Sequence, residues 1–284
     1  MHARGSTRPR TRALLGAAVI ALVAAIVPSS AASAHATQLP SPHQPKPTVV
    51  LVHGAWADSS SWNGVVRRLQ HDGYTVDVPP DPLRGLASDA AYIDAYLHSI
   101  TGPIVLVGHS YGGAVITNAA TGNPNVKALV YVDAFVPDQG ESVVQLAAAQ
   151  PGSALAVADP TTVFTLVPYP GAAPGDFDLY VLPSVFRTAF ANDLPSSQAA
   201  VLASTQRPVA LSALTAPSGP PAWKTIPSWY LVGTADHVLP VAEQRAMATR
   251  AQSHIVAVNA GHLSMISHPK SVEQLILAAT RATT

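Results

Sequence analysis

A serine, an aspartate and a histidine of this chain, Ser110, Asp236 and His262, each follow a predicted strand directly, and they occur in that order. A serine hydroxyl is a poor nucleophile at neutral pH, so it needs a base to take its proton and a carboxylate to orient that base. Active groups of an open α/β sheet lie outside the carboxyl ends of its strands. The sequence therefore predicts that these three residues meet as a catalytic triad.

The predicted nucleophile, Ser110, stands in the sequence Gly108-His109-Ser110-Tyr111-Gly112. The apolar run Ile104–Val107 before it is typical of a strand buried on both faces, and a helical pattern follows it. A serine on such a sharp strand-to-helix turn needs small residues two positions before and two after, which Gly108 and Gly112 provide. This context favours a nucleophile elbow over an ordinary serine in a glycine-rich turn.

The base and the acid each have competitors at other strand ends. His262 is favoured because Gly261-His262 follows the last predicted strand, late enough to come after the acid. Asp236 is favoured because a Gly-Thr-Ala-Asp turn leads from a strand to a helical stretch. Asp133, at the end of the strand after the elbow helix, is the alternative acid and is otherwise expected to cap or brace a loop. The competing histidines are His53, His109, His237 and His268.

An oxyanion formed at Ser110 needs two preorganised N–H groups. One is expected from the main chain of Tyr111, and the other from Ala55 in the loop His53-Gly54-Ala55-Trp56 after the first strand. Trp56 and Phe135 are candidate walls of a substrate pocket. Trp56 is otherwise a core residue beneath the loop.

Composition limits the class of protein. The chain has 284 residues, 48% of them apolar, which fits one large α/β domain. Only 11% are charged, against about 25% in an average globular protein. No Lys/Arg stripe lies outside the N-terminus, so no nucleic-acid partner is expected. The chain has no cysteine, and it has no His-x-x-x-His motif or phosphate loop, so we expect neither a metal nor a cofactor. The oligomeric state stays open.

Residues 1–36 have the pattern of a secretory signal peptide. Four arginines and no acid precede an apolar stretch at 13–27, and small residues allow cleavage after Ala34 or Ala36. The stretch is shorter than the roughly 20 residues that span a bilayer, so no stable membrane anchor is expected. A proline-rich linker is predicted at 37–47. The sequence therefore predicts a secreted protein.

Strand and helix patterns alternate from residue 48 to Asp133 and return after 228, which predicts a mostly parallel central sheet with helices on both faces. One α/β domain is thus predicted at 48–284, with a helical cap inserted at about 135–223. Helical patches are predicted at 143–149, 177–190 and 196–203. Aromatic residues of the insertion either line a pocket or pack the cap onto the core: Phe164, Tyr169, Phe177, Tyr180, Phe186 and Phe190.

Four motifs together resemble the α/β-hydrolase superfamily, and within it the plant methylesterase and hydroxynitrile lyase branch with its bacterial esterase relatives. They are His53-Gly54-Ala55-Trp56, Gly108 to Gly113, Gly233 to Asp236, and Gly261 to Met265. The resemblance implies an α/β-hydrolase fold, the triad roles given above, and an oxyanion hole at Ala55 and Tyr111. Lyases of this branch carry Thr at the position of Gly54 and Lys at the position of Leu263. Because that Lys stabilises cyanide, its absence favours ester hydrolysis.

The chain is therefore expected to be a secreted carboxylic ester hydrolase that works through an acyl-enzyme intermediate. Its expected partner is a small-molecule ester with an apolar part. Two other functions stay open: a non-catalytic ligand-binding member of the fold, and a lyase or C–C bond hydrolase that uses the same triad.

Overall fold

The computed structural model describes residues 46–283, so the predicted signal peptide and most of the predicted linker lie outside the described residues. Within this range the strands are β1 (Thr48–Val52), β2 (Val76–Asp77), β3 (Ile104–His109), β4 (Val126–Val132), β5 (Phe164–Val167), β6 (Asp178–Val181), β7 (Val209–Ala210), β8 (Ser228–Gly233) and β9 (His254–Val258). The α-helices are α1 (Asn63–His71), α2 (Leu86–His98), α3 (Tyr111–Ala119), α4 (Val143–Ala148), α5 (Pro183–Val185), α6 (Ser196–Thr205), α7 (Leu211–Thr215), α8 (Val241–Arg250), α9 (Ser264–Ser267) and α10 (Pro269–Ala282).

Six strands form one sheet in the order β2-β1-β3-β4-β8-β9, with every neighbouring pair parallel. The predicted α/β architecture is confirmed. Its central strands are continuous apolar runs because helices cover them; every residue of β3, for example, is buried. The short edge strand β2 covers Val76–Asp77 only, because the chain turns into Pro79-Pro80 directly afterwards.

The order of the strands explains where a site can form. From β1 the chain crosses to β2 on one side and then returns to β3 on the other, so the loops after β1 and β3 leave in opposite directions. Such a switch point opens a crevice at the carboxyl edge of a sheet. The register aligns this edge, since Val52 pairs with Gly108 and Gly108 pairs with Tyr131.

Helices pack on the sheet in two pairs. α2 packs against α3, and α1 packs against α10, which also contacts β4 and β8. α1 buries Val65 and Leu69 one helical turn apart, and it is preceded by a 3₁₀ turn at Ser59–Trp62. None of the helices described between residues 46 and 283 is both long and apolar enough to cross a membrane.

The insertion between β4 and β8 is not a purely helical cap. It contains α4 to α7 together with an antiparallel sheet in the order β5-β6-β7. The predicted helical patch at 177–190 is wrong over its first part, because β6 runs through Asp178–Val181 and pairs with β5. Its second part forms α5 and a π-helical turn at Phe186–Phe190. A short apolar run is compatible with a strand or with a helix, and here pairing with a neighbouring strand determines its secondary structure.

Candidate active site

Ser110 occupies a strained turn between β3 and α3. Its backbone has φ +52°, in a region that non-glycine residues rarely adopt at a cost of roughly 1–3 kcal/mol. The end of β4 holds the turn: the N–H of Ser110 donates to Val132 O at 3.3 Å, and its carbonyl accepts from Phe135 N at 3.1 Å. A Cβ at residue 108 would lie 2.6 Å from Gly112 O, so this turn closes only around glycine.

The structure brings the three predicted side chains together. His262 Nε2 lies 2.9 Å from Ser110 Oγ, and His262 Nδ1 lies 2.8 Å from Asp236 Oδ2. Because a carboxylate only accepts hydrogen bonds, we assign the imidazole proton to Nδ1, which leaves the Nε2 lone pair for the serine proton. The side chains of His262 and Asp236 are fully buried, so water does not compete for their hydrogen bond.

The carboxylate of Asp236 is fixed by donors other than the histidine. Its Oδ1 accepts from the N–H groups of Val238 at 2.7 Å and Leu239 at 3.0 Å, and its Oδ2 accepts from Gln244 Nε2 at 2.8 Å. The carboxylate is therefore held in place before any substrate binds, which is what orienting an imidazole requires.

Asp133, the alternative acid, contacts neighbouring loops instead of the histidine ring. It is fully buried, its Oδ1 accepts from Gly233 N at 2.7 Å, and Ser264 Oγ donates to its Oδ2. Burial, and then the charge of Asp236, raise the pKa of Asp133 well above its ordinary value. Asp133 thus braces the turn before Asp236 and the segment after His262.

Two competing histidines lie inside the protein and bond to the main chain. His109 Nε2 donates to His262 O at 2.8 Å, and burial, followed by the charge of His262, lowers the pKa of His109 well below its ordinary value. His53 Nδ1 donates to Gly54 O at 2.9 Å, while its Nε2 accepts from Asp81 N at 3.0 Å. Burial lowers the pKa of His53 to about 4.

The two predicted oxyanion donors lie beside the nucleophile. Ala55 and Tyr111 line the same cavity as Ser110. Among residues 46–283, neither main-chain N–H has a hydrogen-bond acceptor. Buried amide groups are rarely left unpaired in native proteins, so two free N–H groups at one cavity wall mark a place for an acceptor oxygen.

The side chain of Tyr111 points away from this role. It is fully buried, and its hydroxyl donates to Asp89 Oδ2 at 2.8 Å. Asp89 also accepts from the N–H groups of Arg84 and Gly85, at the start of α2. Burial raises the pKa of Asp89, and the hydrogen bond from Tyr111 opposes that rise.

A cavity of about 320 Å³ opens onto Ser110. The predicted walls Trp56 and Phe135 line it, together with Phe164 from the cap. Among residues 46–283 no charged side chain lines it, and apart from Ser110 and Tyr111 the only polar lining residue of this range is Ser153. A cavity of this size and character suits the apolar part of a small uncharged molecule.

Several residues at the site were not predicted from the sequence. Four of the six residues of α4 line the cavity, and Val144 among them is still 38% exposed. A helix with apolar residues on more than one face was the available signal. Phe190, which the sequence leaves either as a pocket or as a packing residue, lies against the predicted base: its ring centroid is 5.1 Å from that of His262.

No group of three or more His, Asp or Glu side chains is arranged to hold a metal ion within residues 46–283. The carboxylates of Asp236 and Asp133 accept hydrogen bonds from neighbouring protein groups.

Comparisons with known proteins give matches in family and in sequence. A family model described as "Alpha/beta hydrolase family" matches residues 49–275. The carbendazim hydrolyzing esterase of Nocardioides sp. (strain SG-4G) is 34% identical over 34% of this chain and 46% of its own. Putative methylesterase 15, chloroplastic, of Arabidopsis thaliana is 26% identical over 56% of this chain and 39% of its own. The chain thus spans less than half the length of both relatives.

A solved structure gives the same likeness over a longer range. The crystal structure of polyneuridine aldehyde esterase superimposes with a TM-score of 0.69 at 18% identity, covering 82% of this chain and 99% of that one. At this identity the likeness shows the fold alone. Together these matches confirm the predicted resemblance to plant methylesterases and bacterial esterases.

Proposed function

The chain belongs to the alpha/beta hydrolase family, and we propose that it is a secreted serine hydrolase that cleaves carboxylic esters through an acyl-enzyme intermediate. One observation carries the proposal: Ser110, His262 and Asp236 form a hydrogen-bonded chain beside two free main-chain N–H groups. The residues that carry these groups line a cavity in which no charged side chain from residues 46–283 takes part.

The geometry supports each step of the reaction. Ser110 Oγ attacks the ester carbonyl carbon while its proton passes to His262 Nε2, and Asp236 stabilises the imidazolium through Nδ1–H. The negative oxygen of the tetrahedral intermediate accepts from Ala55 N–H and Tyr111 N–H. Collapse of the intermediate breaks the ester C–O bond, and His262 returns the proton to the departing alcohol. A water molecule, deprotonated by His262, then hydrolyses the acyl-serine and releases the carboxylic acid.

Two observations support an ester over a cyanohydrin as the substrate. Leu263, where lyases of this branch carry Lys, is buried in the apolar core, so it places no positive charge near the reacting atoms. The curated relatives at 34% and 26% identity are named an esterase and a putative methylesterase. Apart from Ser110, Tyr111, Ser153 and the N–H of Ala55, the lining residues described between 46 and 283 offer an ester apolar contacts, which favours an acyl or alcohol part without charge.

The test is turnover of p-nitrophenyl esters of increasing acyl length, beside methyl and aryl esters of aromatic acids. Ser110→Ala should lower kcat by about 10⁶-fold, because triad members act as a unit. Labelling of Ser110 by a fluorophosphonate probe separates a hydrolase from a ligand-binding protein. Near-wild-type esterase activity in the Ser110→Ala protein would contradict the assignment.

Secretion is proposed from the N-terminal sequence, where four arginines precede an apolar stretch, and small residues follow at 32–34 and at 36. Its test is N-terminal sequencing of the protein recovered from the culture medium. A new N-terminus at His35 or Thr37 is expected. Recovery of the intact chain inside the cells alone would refute secretion.

A further inference from the structure

Two consecutive side chains of the cap reach the loops that carry the acid and the base. Asn192 Nδ2 donates to Ala235 O at 2.8 Å, and Asp193 Oδ2 accepts from Gly261 N at 2.8 Å. Ala235 directly precedes Asp236, and Gly261 directly precedes His262. The cap therefore holds the main chain one residue before each partner of the Asp236–His262 pair.

These two loops are also joined to each other. Ala235 N donates to Ala260 O at 3.0 Å, so the turn before the acid and the loop before the base move as one main-chain unit. A hydrogen bond from the cap to either loop thus bears on both. Two such bonds from neighbouring side chains fix the position of the unit and also its orientation.

The approach of the cap is unusually close at this point. An ideal Cβ on Gly261 would lie 2.8 Å from Asp193 Oδ1, and closer still to Asn192 Oδ1. A side chain at residue 261 would displace the side chains of Asn192 and Asp193 from their present positions. Glycine before His262 therefore leaves room for these two cap side chains beside the loop of the base.

A π-helical turn presents the two side chains. Phe186–Phe190 ends with Ala191 N donating to Phe186 O at 2.8 Å, and residues 192 and 193 follow at once. The same turn places the buried ring of Phe190 against His262, and its Thr188 O lies 3.3 Å from Nδ1 of His237, the residue after the acid. Single π-helical turns occur frequently at functional sites.

From these contacts we propose that Asn192 and Asp193 are positioning residues, which align Asp236 and His262 and make assembly of the triad depend on the seated cap. The inference rests on the proposed function, because it concerns the same triad. A carboxylate that accepts from a main-chain N–H makes a strong, directional bond. Since a displacement of about 1 Å costs roughly 10²-fold in rate, loss of either bond should be visible in kcat.

The experiment compares Asp193→Ala with Asp193→Asn, whose amide oxygen still accepts from Gly261 N–H. We measure kcat and KM on a p-nitrophenyl ester, the rate at which fluorophosphonate labels Ser110, and the thermal unfolding transition. Asp193→Ala should lower kcat and the labelling rate by at least about tenfold, with KM within about threefold of wild type. Asp193→Asn should keep both rates within about threefold of wild type.

Asn192→Ala provides the second variant, acting on the loop before Asp236, and decides the question if Asp193→Ala does not fold. Asp159→Ala is the matched control, because Asp159 is a cap carboxylate that accepts from Thr161 and contacts neither loop. It should leave kcat, KM and labelling at the wild-type values.

Either of two results would overturn the inference: a folded Asp193→Ala protein with wild-type rates, or equal impairment of Asp193→Ala and Asp193→Asn. The labelling rate separates this failure from failure of the proposed function. If wild type neither hydrolyses any ester nor reacts with the probe, both the proposed function and the inference are wrong. If wild type and Asp193→Ala react equally fast, only the inference fails.

Discussion

The hydroxyl of Tyr111 lies 2.8 Å from a carboxylate oxygen of Asp89, and both side chains are fully buried. One residue therefore serves two purposes. Its main-chain N–H has no acceptor among residues 46–283 and lies directly after Ser110, while its side chain ties the turn at Ser110 to the start of α2. The two purposes can be separated by substitution, since the side chain can be changed while the N–H stays.

Tyr111→Phe should lower the free energy of unfolding by about 1–3 kcal/mol, because Asp89 is left buried with one donor fewer. It should change kcat less than about tenfold, since residue 111 still supplies its N–H to the oxyanion. Urea unfolding and ester turnover measure the two effects. A large loss of kcat at unchanged stability would mean that the phenol acts directly on the substrate.

Asp236→Asn and Asp133→Asn should have opposite outcomes. The first removes the carboxylate that orients His262, and kcat should fall roughly 10⁴-fold. The second keeps an oxygen for Gly233 N–H and an amide that donates to Ser264 Oγ, so kcat should stay within about tenfold of wild type. The measurement is kcat of both variants at neutral pH. A larger loss of kcat in Asp133→Asn than in Asp236→Asn would make Asp133 the acid of the triad.

His53 should make the protein less stable as the pH falls. Its pKa is about 4 in the folded protein against an ordinary histidine value of 6.5, so between those values the unfolded chain binds the proton that the folded protein excludes. Stability contributed by the neutral ring is complete above pH 6.5 and is lost as the pH falls towards 4. At pH 5 the loss amounts to about 2 kcal/mol.

The measurement is the free energy of unfolding at about pH 7.5 and about pH 5, in wild type and in His53→Gln. Wild type should lose about 2 kcal/mol more than the variant over this interval. His98→Gln, at an exposed position, is the control and should lose as much as wild type. Equal losses in wild type and His53→Gln would show that His53 titrates normally.

A larger side chain inside the cavity should shorten the acceptable substrate. Ala147 lines the cavity from α4, so Ala147→Trp should lower kcat/KM for p-nitrophenyl octanoate by at least about tenfold and leave the acetate almost unchanged. Because none of the lining residues between 46 and 283 is charged, an acyl chain that ends in a carboxylate should be a poor substrate of wild type. An equal effect on acetate and octanoate would place the acyl chain elsewhere.

The central sheet and the positions of Ser110 and His262 could be predicted because local rules determine them. A buried strand, two glycines and a helix define the elbow within ten residues, and the last strand brings one histidine to the same edge. The preference for Asp236 over Asp133 followed from its turn. Only the structure shows that both carboxylates lie near His262. Asp236 contacts the imidazole ring, and Asp133 contacts Ser264 in the segment that follows.

The secondary structure of the cap could not be predicted fully from the sequence, because its strands form by pairing with other segments of the insertion. Asp178–Val181 is a strand because it pairs with Phe164–Val167. The residues around 178–181 alone do not indicate that pairing. The bonds of Asn192 and Asp193 were missed for the same reason, as they join residues 43 and 68 positions apart in sequence. The hydrogen-bond partners of polar loop residues depend on the folded path of the loop, so they cannot be predicted from the local sequence.

β4 and β8 pair directly, from Leu129 with Ser228 to Val132 with Leu231, although the whole cap is inserted between them. The sheet would therefore tolerate exchange of the cap as one continuous cassette, and a lineage could acquire a new substrate range by a single recombination event. Asn192 and Asp193 limit that freedom. An incoming cassette would have to supply its own contacts to Ala235 and Gly261, so binding preference and catalytic competence would be inherited together.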